Sequence, residues 1–186
     1  MALVTSPQTI PDLDHEYHII TTDSIGQDSA NTFTCHLQQP LKNVVQVRLL
    51  AAHIHSNVVT EHCYVSIDEL DTIFNDRASN VLTGQSHMSM IRGSFASIIT
   101  DGTTHDGGNS LISFKDNYPI VTQYIDPIRR IDRLGITIRD QNGATIKNST
   151  DNGANFLVFR FMCRKPRLKD ILIFHNPLRS RRYAEM

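Results

Sequence analysis

Hydrophobic and polar positions alternate with a period of two along most of the chain. Phe33, Cys35 and Leu37 alternate with Thr34, His36 and Gln38; Cys63, Val65 and Ile67 with Tyr64, Ser66 and Asp68. Leu134, Ile136 and Ile138 do the same with Gly135, Thr137 and Arg139, as do Leu157, Phe159, Phe161 and Cys163 with their neighbours. Such a pattern puts one face of a strand in a core and the other toward water. Further strands are expected over 16–22, 42–55, 87–99 and 119–125, with helical spacing confined to 68–77 and 168–175. Eight or so short strands imply an antiparallel sandwich or barrel.

Turn residues punctuate this pattern. Asn142-Gly143 separates "LGITIRD" from "ATIKN", and both residues tolerate the positive φ of a tight hairpin. Asn152-Gly153 precedes the next strand, and "DGTTHDGGNS" (101–110) reads as a loop. Within 42–55 the apolar set moves from Val45, Val47 and Leu49 to Leu50, Ala52 and Ile54. A β-bulge near Leu49–Leu50 would produce that one-residue slip. Ile54 then points inward, and His53 and His55 share the outer face.

Composition narrows the options. The 186 residues suffice for one domain with a sizeable core. The 18 basic and 19 acidic residues nearly cancel, so bulk charge predicts neither a nucleic-acid nor a membrane partner. The charge is unevenly placed. Residues 1–41 hold Asp12, Asp14, Glu16, Asp23 and Asp28 and no Lys or Arg; residues 164–182 hold seven Lys or Arg against Asp170. Cys35, Cys63 and Cys163 form no CxxC pair, and free, mostly buried thiols in a reducing compartment are expected. "MALVTSPQTIPDLD" has no basic start or long apolar stretch, so no signal peptide is expected. No run reaches the roughly 18 apolar residues of a membrane span.

Candidate chemistry is sparse. His53 and His55, at i and i+2 of a strand, converge on one side as a metal pair would. With Glu61, and His62 beyond it, they evoke a cupin-type metal site. The carboxylate spacing is one or two residues too long for that pattern, and cupin ligands face the barrel interior. No metal, cofactor or catalytic residue is therefore expected. Asp68-Glu69 reads as a solvated turn or helix start. Asp101, His105 and Asp106 could form an acid–base set, but no nucleophile stands in a recognisable setting. Arg129, Arg130 and Arg133 read as a solvated or subunit-facing edge.

Three segments in order carry a family resemblance: "NTFTCHLQQPLKNVVQVRLLAAHI" (31–54), "CYVSIDEL" (63–70) and "YIDPIRRIDRLGITIRDQNGATI" (124–146). Together they resemble the single jelly-roll penton and minor capsid proteins of large icosahedral DNA viruses, over about residues 16–163. The resemblance implies an all-β fold, a single jelly-roll antiparallel sandwich of two four-stranded sheets, over 15–165. Residues 1–14 would be an N-terminal arm, and 166–186 a basic arm or a final strand. It further implies a structural protein of the virion, assembled in host cytoplasm. The expected form is a pentamer at the fivefold vertex, contacting major and minor capsid proteins, with no direct nucleic-acid contact.

The alternatives are a minor capsid protein that cements tiles, a cupin-like metalloenzyme using His53, His55 and Glu61, and a jelly-roll module binding carbohydrate or peptide. The last is disfavoured by the lack of Trp for sugar stacking.

Overall fold

The computed structural model describes residues 14–56, 60, 62–70, 81–82, 85–86, 93–99, 104–106, 109–116, 118–141, 143–146 and 154–166. Ten strands lie within them and no helix: β1 His15–Asp23, β2 Thr32–Ser56, β3 His62–Ile67, β4 Val81–Leu82, β5 Gln85–Ser86, β6 Ala96–Ile99, β7 Thr104–Asp106, β8 Asn109–Phe114, β9 Ile120–Arg139 and β10 Phe156–Arg164. Eight of them form one antiparallel sheet in the order β1-β10-β2-β9-β3-β6, with β8 on β2 and β7 on β8; β4 and β5 pair separately.

The expected strands 33–38 and 42–55 are one strand, β2, and 119–125 and 134–139 are one strand, β9. Irregularities absorb what would otherwise end them. His36 faces Arg133 and Leu41 faces Ile131, so residues 37–40 stand opposite Asp132 alone. Pro40 falls in that excursion, where its missing N–H removes no ladder bond. Farther on, Val44 faces Ile128 but Gln46 faces Gln123, leaving 124–127 looped out opposite Val45.

The phase slip lies where the alternation places it. Leu49 faces Phe159 and Ala51 faces Val158, so Leu50 is the extra residue of a bulge. Leu49, Ala52 and Ile54 are buried, and His53 is exposed. A second bulge, not anticipated, sits at Val45, between Val44 opposite Cys163 and Gln46 opposite Met162. It buries two consecutive residues, Val44 and Val45.

One core gathers the inward residues of β2, β3, β6, β8, β9 and β10, among them Leu49, Ile54, Ile67, Ile98, Ile112, Leu134, Phe159 and Phe161. Each such side chain contributes about 1.5–3 kcal/mol on leaving water. Cys63 and Cys163 are buried within it as free thiols; burial pushes them up to about 12 and about 11. Cys35 is half-buried, and its thiol donates to the Asp23 carbonyl (3.4 Å).

Two elements differ from the sequence pattern. Residues 68–70 form a turn, closed by Leu70 N–H to the Ile67 carbonyl (2.7 Å), not the start of a helix. The rest of 68–77, and the candidate 168–175, lie outside the described residues. Part of the expected loop 101–110 is a hairpin, with Asp106 paired to Asn109 across Gly107-Gly108.

The hairpin after β9 closes over three residues. Asp140 N–H donates to the Ala144 carbonyl (2.8 Å) and Gly143 N–H to the Asp140 carbonyl (3.0 Å). Gly143 has φ +84°, the left-handed position such a loop requires. Gly143→Val is expected to cost about 1 kcal/mol or more through backbone strain, read as a shift in the urea midpoint at constant slope. An unshifted midpoint would mean the chain turns elsewhere.

Candidate functional site

His53 and His55 sit near the end of β2, between β8 and β10. His53 faces Ser113 and Phe156, and His55 faces Leu111. With Ile54 buried between them, both imidazoles project away from the core. His55 is half-buried; burial, and then the neighbouring His53, lower its pKa and favour the neutral ring. Glu61 lies outside the described residues, and the His62 ring stands edge-on to Tyr64 at 5.7 Å. Among the described residues, no three His, Cys, Asp or Glu side chains gather as a metal set. The double variant His53→Ala/His55→Ala should change stability by no more than about 0.5 kcal/mol, and the purified chain should hold no stoichiometric metal. Zinc, iron or manganese near one per chain by elemental analysis would contradict this.

Beside His55 lies a buried polar knot that the sequence does not announce. Asn155, which leads into β10, is fully buried. Its Oδ1 accepts from the His55 main-chain N–H (2.8 Å), and its Nδ2 donates to the Ala30 carbonyl (2.6 Å) and to Asn31 Oδ1. The Asn155 N–H donates to Ser24 Oγ (2.9 Å), and its carbonyl accepts from Ser24 N–H (3.1 Å). Asn31, also buried, donates through Nδ2 to the Ile146 carbonyl and accepts Ile138 N–H at its own carbonyl (2.9 Å). Two asparagines thereby fasten the loop between β1 and β2 to β2, β10 and the hairpin after β9. The only sequence signal is an Asn just before the run "FLVFRFMC", and loop asparagines look the same.

Asp68 and Glu69 secure a crossing. Asp68 N–H donates to the Gly135 carbonyl (3.0 Å), and Gly135 N–H donates to Glu69 Oε2 (2.9 Å). Arg133 Nε reaches Glu69 Oε1 at 3.4 Å. A Cβ on Gly135 would lie 2.6 Å from Asp68 Oδ2, so glycine lets the two segments touch. Tyr124, from the looped-out 124–127, donates its hydroxyl to the Leu70 carbonyl (2.8 Å) and holds the same turn. His105 and Asp106 belong to β7, while Asp101 lies outside the described residues. Arg129, Arg130 and Arg133 are exposed on β9, with Arg130 Nε 3.5 Å from Asp132.

Other features lie on the surface. A groove runs between β1 and the bulged part of β2, bordered by Glu16, His18, Ile20, Leu37, Leu41 and Lys42. On the outer face, Tyr17, Ile19, Val121 and Phe156 are exposed, and the Arg160 guanidinium lies 5.8 Å from the Tyr17 ring centre. Arg48 grips Asp116 in a two-pronged ion pair (2.7 and 2.8 Å), joining β2 to the connection between β8 and β9.

No protein-family model and no curated protein matches the chain. No helix among the described residues is long and apolar enough to cross a membrane.

Proposed function

We propose that this chain is a structural capsid protein of a large icosahedral DNA virus, folded as a single jelly roll and assembled as a homopentameric penton at the fivefold vertex. The observation that carries the fold part of the proposal is the register of β2 and β9. Divided at Asn43, which has φ +52°, and at 124–127, the two long strands become four. The first set is then β1, β10, the later part of β2, and β8 in line with the first part of β9, with β7 outside β8. The second is the early part of β2, the later part of β9, β3 and β6. Apart from β7, each set has four strand positions and the first strand lies beside the last, which supports the jelly-roll reading. In this reading the sets are the two sheets of the sandwich, joined where β2 and β9 pass from one to the other.

Lectins and cupins use the same order, so the capsid assignment rests on the resemblance of 31–54, 63–70 and 124–146. These segments are remote in sequence yet adjacent in the sheet, because β9 pairs with both β2 and β3. A capsid role needs exposed flanks for neighbouring subunits, not a reaction centre. Its partners would be further copies of itself and the major and minor capsid proteins, within the virion.

Native mass spectrometry tests this directly. Five copies of the 21.0 kDa chain give a particle of about 105 kDa. A monomer carrying one tightly bound metal would favour the cupin-like alternative and overturn the proposal.

A further inference from the structure

The turn between β1 and β2 holds one apolar side chain out in water on a fixed base. Ser24 to Gln27 close a β-turn through Gln27 N–H to the Ser24 carbonyl (3.3 Å). Gly26 has φ +72°, the left-handed value that the third residue of a type II turn requires. Asp23 Oδ1 caps the Ile25 N–H (3.0 Å). The base is fastened to the buried asparagine knot, since Ser24 N–H donates to the Asn155 carbonyl and Ser24 Oγ accepts the Asn155 N–H. Ile25 is nonetheless 73% exposed. A side chain already fixed in this way can enter a partner's pocket at little ordering cost. The turn is also acidic: Asp23 precedes it, Asp28 follows it and is exposed, and residues 1–41 hold no Lys or Arg.

A pocket of matching character lies where β2 makes its excursion around Pro40. It is open, about 660 Å³ in volume, and lined by the apolar Leu37 and Pro40 and the basic His36, Arg130 and Arg133. Lys42 faces Arg130 across the ladder, and Arg129 is exposed next to it. Two carboxylates answer these cations: Asp132, which also lines the pocket and pairs with Arg130, and Glu69, which pairs with Arg133. Four Lys and Arg side chains against two carboxylates leave the rim positive. We propose that the Ile25 turn of one copy docks in this pocket of the next, with Ile25 against Leu37 and Pro40 and with Asp28 facing Arg130 and Lys42. The inference rests on the assembly reading above.

The occupant has to be a second copy. Turn and pocket lie on the same chain with the stretch Thr32–His36 between them, held in register with Arg133–Thr137. At about 3.3 Å per residue that stretch keeps them roughly 13 Å apart, and the asparagine knot prevents the turn from swinging back along it. Each copy therefore offers one turn and one pocket, two unlike surfaces. Contacts between unlike surfaces are the ones that close rings. Opposite charges across such a contact fix its register and partner.

The test uses the full-length chain. Native mass spectrometry should show a ring for the wild type and monomers for Ile25→Asp, Asp28→Arg and Arg130→Glu, with β circular dichroism and the urea midpoint unchanged. The double variant Asp28→Arg/Arg130→Glu should regain the ring, a rescue that a folding defect would not produce. In wild-type rings mixed from isotopically labelled and unlabelled copies, a carbodiimide, which joins carboxylates to amines, should link Asp28 of one copy to Lys42 of another. That readout does not depend on any variant folding. A ring that survives both Ile25→Asp and Arg130→Glu, or that yields no Asp28–Lys42 link between copies, overturns the docking but leaves the assembly reading standing. A wild-type chain that stays monomeric overturns both.

Discussion

Asn155→Leu is expected to lower stability by about 3 kcal/mol or more. The side chain is fully buried and satisfies the His55 N–H, the Ala30 carbonyl and Asn31 Oδ1 together. Leucine has similar bulk but neither donates nor accepts, so these partners stay behind without water or replacement. Each orphaned buried group costs about 1–3 kcal/mol, against a total stability of roughly 5–15 kcal/mol for a domain. The control is His55→Ala, which keeps the main-chain donor and should barely register. Urea denaturation at pH 7 reads both. If the two variants behave alike, the knot is not what holds the loop between β1 and β2.

Phe159→Ala should cost about 3–5 kcal/mol, the usual range for a buried aromatic truncated to alanine. Phe159 is fully buried on β10, the strand between β1 and β2. Its ring meets Phe95 edge-on at 5.9 Å and tilts against Phe161 at 6.2 Å. Phe95 precedes β6 at the far end of the sheet order, so the cavity would open where the two ends of the curled sheet pack together. The urea midpoint should fall with its slope unchanged. A loss below about 1 kcal/mol would show that Phe159 does not lie at this junction, since fully buried aromatics cost several times more.

Most strands were legible because alternation is a direct imprint of a half-buried sheet. Phe33 to Leu37, Cys63 to Ile67 and Leu157 to Cys163 each show it cleanly, and the change of phase at Leu49–Leu50 even marked the bulge. Continuity was less visible. Pro40 and Asp126-Pro127 resemble terminators, and only the pairing register shows that the chain resumes the same ladder beyond them. The hairpin of β7 and β8 was hidden by polar composition. Isolated Asn residues were the least legible, since Asn31 and Asn155 matter through partners more than 100 residues away along the chain. The outward orientation of the histidine pair was legible in the phase of its neighbours, since Ile54 between them is buried and His53 is exposed.

The place of β10 in the sheet also bears on synthesis. Strands β1 and β2 are made early, but they are not neighbours; β10 lies between them and pairs with both. His15 meets its partner only when Arg164 has been translated. Until then, the backbone groups along that edge of β2 have no ladder partner. Such long-range closure is slow and leaves strand edges open to other chains. A ribosome-bound chain ending before residue 156 should therefore remain protease-sensitive throughout, and the nascent chain should become competent to fold only as β10 emerges from the exit tunnel.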